Sequence, residues 1–112
     1  MKIAVSSIDK GLYSDISGVF GRCPYFIIAE IKGKEIGETK ALENKSTEQN
    51  TGAGIATAQL MVENNIEAVI TGNVGPRALG VLRQFNVEIY KAEGTVQGAL
   101  KSFIDNKLHK MN

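Results

Sequence analysis

Hydrophobic and polar residues alternate with changing period along this chain. Lys2-Ile3-Ala4-Val5-Ser6 is a short apolar run that predicts a buried strand, and the polar, glycine-containing loop Ser7 to Gly18 follows it. From Tyr25 to Lys32 the period is two: Tyr25, Ile27, Ala29 and Ile31 share one face, while Phe26, Ile28, Glu30 and Lys32 share the other and turn polar. This predicts a strand buried on one side throughout. Lys32-Gly33-Lys34-Glu35 supplies a tight turn, and Ile36 to Leu42 reads as a charge-bearing antiparallel partner near a sheet edge.

After the polar loop Asn44 to Thr51 the texture becomes helical. Gly52-Ala53-Gly54 opens an alanine-rich helix to about Asn64. Ile66 to Thr71 predicts a strand, Pro76 to Phe85 a helix, Val87 to Tyr90 a strand, and Thr95 to about Leu108 a last helix. That helix carries Val96, Ala99, Leu100, Phe103, Ile104 and Leu108 at spacings of three and four. Two strand-helix units in succession imply parallel pairing. The expected order is βββαβαβα around a mixed five-stranded sheet, an α/β protein.

Length and charge narrow the picture. A chain of 112 residues is long enough for one sizeable core, which predicts a single domain over 1–112. With 13 Lys+Arg against 12 Asp+Glu, the net charge of +1 supplies no field for nucleic acid or an acidic membrane, so binding must be local. No apolar run suits a leader or a membrane span, and a cytoplasmic location is the expectation. One cysteine forms no internal disulfide.

That cysteine sits in Phe20-Gly21-Arg22-Cys23-Pro24-Tyr25-Phe26, and further on come Gly52-Ala53-Gly54, Thr71-Gly72-Asn73-Val74-Gly75-Pro76-Arg77-Ala78 and Gly94-Thr95-Val96. In this order and spacing the motifs resemble the dinitrogenase iron-molybdenum cofactor biosynthesis family over nearly the whole chain. The resemblance implies a ribonuclease H-like three-layer fold and a non-enzymatic role with iron-sulfur or iron-molybdenum cofactor precursors in metallocluster assembly. Members of that family often carry a histidine just before the Phe-Gly pair, where this chain has Val19.

The residues themselves suggest chemistry. Pro24 pushes Cys23 toward an extended conformation, and a thiolate is a strong ligand for iron-sulfur chemistry that Arg22 would favour. The alternative is a packed thiol, since Cys23 shares the parity of the inward-facing Tyr25 and Ile27. Thr71 to Gly80 follows a strand and opens a helix with Pro76 at its first position, which leaves N–H groups and Arg77 facing a crevice that suits an anion; ordinary turn chemistry explains the same glycines. Gly52 and Gly54 begin the other helix, either to admit a ligand or to let that helix approach the sheet. Ligands of open sheets favour the carboxyl ends of parallel strands. We therefore expect one shallow cleft lined by Ser6, Arg22, Cys23, Gly52, Gly54, Asn73 and Arg77, with Cys23 as the candidate metal ligand.

Other groups carry less. His109 lies in the terminal segment, Asp9 and Asp15 suit turn capping, and the first strand has none of the carboxylates a two-metal nuclease needs. Two classes of function remain. One is a carrier of a metallocluster precursor, in which a single cysteine leaves coordination incomplete. The other is a sensor or weak enzyme that holds a phosphate, carboxylate or nucleotide at its glycine-rich helix starts. A scaffold whose edge strand docks a cofactor-maturation protein is a lesser possibility.

Overall fold

The computed structural model describes residues 1–48 and 52–111. Strands β1 (Lys2–Ser7), β2 (Tyr25–Lys32) and β3 (Glu35–Glu43) precede α1 (Ala53–Glu63), β4 (Ala68–Thr71), α2 (Pro76–Gln84), β5 (Glu88–Lys91), α3 (Val96–Ile104) and β6 (His109–Lys110). They form one six-stranded sheet in the order β3-β2-β1-β4-β5-β6. Pairing is antiparallel from β3 to β1, parallel through β1, β4 and β5, and antiparallel again at β6.

Two cores cover the two faces. Met61 and Ala58 of α1 and Ala78 and Leu82 of α2 pack with Ala4, Phe26, Ile28, Val69 and Ile89 on one side. On the other, Val96, Ala99 and Leu100 of α3 join Ile3, Val5, Ile27, Ala29 and Ile70. In β2 the face of Ile27, Ala29 and Ile31 is buried along the strand as expected, while the other is buried at Phe26 and Ile28 and turns polar at Glu30 and Lys32. A strand next to the sheet centre has helices over both faces, so its alternation is erased where they cover it.

The expected five strands become six, because the last helix stops at Ile104 rather than near Leu108. Asn106 takes φ 58, the left-handed conformation that ends a helix, and the chain returns to pair Lys91 with His109. Leu108 still packs against the α3 core, so its helical spacing is satisfied by another backbone path. Asn65 and Asn86 take the same left-handed conformation, with φ 58 and 59, just beyond α1 and α2. Part of the expected Asn44–Thr51 loop lies outside the described residues.

Residues 8–19 cross the carboxyl ends of β1 and β4 as a strap. Ser17 N–H donates to Ser6 O at 3.0 Å, Ile16 N–H to Gly94 O at 2.8 Å, and Phe20 N–H to Asn73 O at 2.9 Å. The point between β1 and β4, where the chain turns outward in both directions and where open α/β sheets usually hold ligands, is filled by the protein's own backbone.

Candidate functional site

With the usual crevice filled, the helix starts decide where a ligand can go. Each α-helix begins with N–H groups that lack intrahelical partners. At α3 all three are taken: Val96 N–H donates to Ser14 O at 2.9 Å, Gln97 N–H to Leu12 O at 2.8 Å, and Gly98 N–H to Thr95 Oγ1 at 3.1 Å. The strap closes that end.

The starts of α1 and α2 differ. Gly52, with φ 74, and Gly75 stand at their N-cap positions and supply no side-chain oxygen. The N–H groups of Ala53, Gly54 and Ile55, and of Arg77 and Ala78, meet no acceptor among the described residues. Both helices lie on one face of the sheet and run in the same sense, so their positive ends converge. Between them is a cleft of ≈ 270 Å³, walled by Gly52, Gly54 and Ile55 on one side and by Gly75, Pro76, Arg77 and Ala78 on the other. A Cβ on Gly75 would have nothing within 4 Å, so neither packing nor its φ of −66° calls for glycine there. Its effect is to leave the helix end bare.

The expected residues therefore separate. Gly52, Gly54 and Arg77 come together at this cleft. Asn73 is exposed at the end of β4 and lines a different hollow of ≈ 390 Å³ with Gly18, Gly72, Lys91 and Gly94, where Asp15 and Glu93 offset the lysine. Ser6 is fully buried and faces no cleft: its hydroxyl donates to Ser17 O at 3.0 Å and is hydrogen-bonded to the Thr71 hydroxyl at 2.7 Å, tying the strap to the sheet. Arg22 is exposed and donates to Thr47 O at 3.3 Å.

Cys23 has 0% exposure and belongs to the core cluster with Phe20, Phe26 and Met61. Its Sγ donates to Phe20 O at 3.2 Å and receives Asn44 Nδ2 at 3.8 Å. Burial pushes the thiol from 9.0 up to about 12, against smaller opposing contributions from Asn44 and from backbone N–H groups of Cys23 and Ser7. The placement of Cys23 on the cleft is thus corrected: a protonated sulfur in the core is not presented to an incoming ion. The parity argument reached the core by the wrong face, because the turn at Phe20–Arg22 and Pro24 reset the direction of the chain, and Cys23 packs with Phe26 rather than with Ile27. Among the described residues, no three His, Cys, Asp or Glu side chains gather to hold a metal ion.

The thiol shift has a stability consequence. The folded value lies above the unfolded one, so its contribution is whole below pH 9 and is lost as pH rises toward about 12. Between those values unfolding free energy should fall by about 1.4 kcal/mol per pH unit on account of this group. Urea titrations of the wild type and Cys23→Ala across that range measure it; equal slopes for the two proteins would contradict a buried thiol.

Ile55, Gly75, Pro76 and Ala78 were not singled out from sequence as site residues, although the last three lie in the quoted glycine-rich motif. The polar loop Ser7 to Gly18 forms the strap at the sheet edge it could reach, and nothing local marked its closure of α3.

Known proteins share the fold over nearly the whole chain. The model of the family described as dinitrogenase iron-molybdenum cofactor matches residues 1–106. An uncharacterized protein of Methanocaldococcus jannaschii is 36% identical over 111 residues, 98% of this chain and 91% of that protein. The apo orange protein of Desulfovibrio gigas superposes with a TM-score of 0.88 at 26% identity, covering 97% of this chain and 91% of the other. A Thermotoga protein with a provisional NifB assignment gives 0.83 at 32% identity over 98% and 92% of the two chains.

Proposed function

The chain belongs to the dinitrogenase iron-molybdenum cofactor family, and from that premise we propose that it binds and carries an anionic iron-sulfur or iron-molybdenum cofactor precursor in the cleft between α1 and α2. One observation supports the reading: two helix starts whose N–H groups meet no acceptor among the described residues border the same small hollow as the Arg77 guanidinium. Helix ends of this kind place about half a positive charge each beside a ligand, and N–H groups donate to sulfide as well as to oxygen.

The chemistry of the walls sets how the cargo is held. No thiolate, imidazole or carboxylate lies among the described residues that line the cleft. The protein thus holds a preassembled anion by charge and hydrogen bonds while the cluster keeps its own ligands. Such a cargo leaves without breaking a metal–protein bond, which suits delivery rather than permanent electron transfer. The described residues of the cleft supply Arg77 and main-chain donors and no general base, which favours binding over catalysis.

A simple oxyanion would meet the same donors, so a small-anion module is the second reading. The phosphate of a nucleotide would meet them as well.

Anaerobic titration with a synthetic thiolate-ligated [4Fe–4S] cluster, followed by gel filtration with visible absorption and metal analysis, separates the readings. We expect one cluster retained per chain and the same retention in Cys23→Ala. Colour lost in Cys23→Ala would return the cysteine to the site. No retained metal in either protein would leave the small-anion module.

A further inference from the structure

No described side chain caps the start of α1, yet it must stand in register with α2 for two helix ends to serve one ligand. Its position is held from behind. A Cβ on Gly21 would lie 2.9 Å from Gly54 Cα and 3.0 Å from Gly54 N, so the Phe20–Arg22 turn rests directly on the first turn of the helix. One residue later the chain meets Asn44, a polar side chain with 2% exposure at the end of β3.

Asn44 joins three separate segments. Its Nδ2 donates to Cys23 O at 3.0 Å and to Thr57 Oγ1 at 3.3 Å, and its Oδ1 accepts from Ser46 N–H at 3.2 Å. The Thr57 hydroxyl, fully buried, donates onward to Ala53 O at 2.7 Å in the first turn of α1. The donors therefore run in one direction, from Ser46 through Asn44 and Thr57 to Ala53. Asn44 also fixes the neighbouring turn, because its own carbonyl accepts the Thr47 hydroxyl at 3.2 Å, and Thr47 O receives Arg22.

We infer that Asn44 is the positioning residue of the cleft: through Thr57 and the Cys23 carbonyl it clamps the α1 start against the Phe20–Arg22 turn and so sets the spacing between the two donor arrays. It touches no ligand. Buried amide networks of this kind hold geometry because each group left unpaired would lose its bond without regaining water. The inference rests on the proposed anion cleft for its functional meaning, and on the hydrogen bonds alone for its structural one.

Thr57→Val removes the hydroxyl at nearly constant shape and leaves one Asn44 donor unpaired, whereas Thr57→Ser keeps the bond; Asn44→Ala removes the hub. Two readouts apply to the folded proteins: retention of the synthetic [4Fe–4S] cluster, and hydrogen exchange at the Ala56 and Ala58 amides of α1. We expect about tenfold weaker cluster retention and about tenfold faster exchange in Thr57→Val, a comparable or larger change in Asn44→Ala, and values near wild type in Thr57→Ser. Cluster retention in Thr57→Val equal to wild type would overturn the positioning role. Should the wild type retain no cluster, the carrier reading falls and exchange decides the clamp alone: acceleration in Thr57→Val upholds it, and unchanged exchange overturns it.

Discussion

Replacing Gly72 with alanine should destabilise the protein by about 3 kcal/mol and lower its melting temperature by about 10 °C. A Cβ there would lie 2.6 Å from Gly18 O, 2.7 Å from Gly18 Cα and 2.9 Å from Gly18 C. All three are backbone atoms. The strap cannot simply lift away, since Ser17 N–H and the Ser6 hydroxyl bond it to the sheet just before Gly18, and Phe20 N–H bonds Asn73 O just after. Gly18→Ala is the matched control, because a Cβ at that position meets nothing within 4 Å. It should melt within about 3 °C of wild type. Thermal unfolding followed by circular dichroism tests both, and equal melting of the two variants would mean that the strap does not rest on β4.

Charge reversal at the cleft should have the largest functional effect. Arg77→Glu places a carboxylate beside two positive helix ends and repels the anion they attract; cluster affinity should drop on the order of 100-fold, and about tenfold in Arg77→Gln. Arg83→Glu changes net charge equally but sits in the last turn of α2. Counter-ions screen exposed charges beyond about 8–10 Å at ordinary ionic strength, so that variant should bind within about twofold of wild type. Cluster titrations of the three variants at two salt concentrations give the answer. Equal loss in Arg77→Glu and Arg83→Glu would show attraction by overall charge rather than by this cleft.

Much of the architecture was legible because it is written in short-range patterns. Alternation over Tyr25 to Lys32 marked β2 to the residue, and Pro76 at the first helical position marked the start of α2. The stripe of α3 was equally clear at its beginning. Its end was not, because Leu108 continues the spacing of three and four after Asn106 has already turned the backbone. Periodicity reports where a side chain is buried and not which backbone path took it there.

The candidate site was legible only in pieces. Gly52, Gly54 and Arg77 stand out in the sequence through the chemistry of helix starts, and they line one cleft from its two sides. Ser6 stands out through its place at the carboxyl end of a parallel strand, yet its hydroxyl is spent on Thr71 and Ser17. The partner that uses it lies 65 residues away in sequence. Cys23 drew attention through its neighbours Arg22 and Pro24, and burial determined its chemistry instead.

By itself the sequence determined the local menu: which segments extend, which coil, where glycine or asparagine permits a turn, and that three helices begin with small residues or a capping threonine. These follow from backbone dihedrals and from the two- and near-four-residue periods. Tertiary structure alone decided which helix start the strap closes. Leu12 and Ser14 carbonyls fill the start of α3, Gly18 lies on Gly72 over the strand ends, and the starts of α1 and α2 are left to face each other. Those outcomes depend on pairings between residues far apart along the chain, where a shift of one hydrogen bond exchanges an occupied donor for a free one, and no local pattern records that distance.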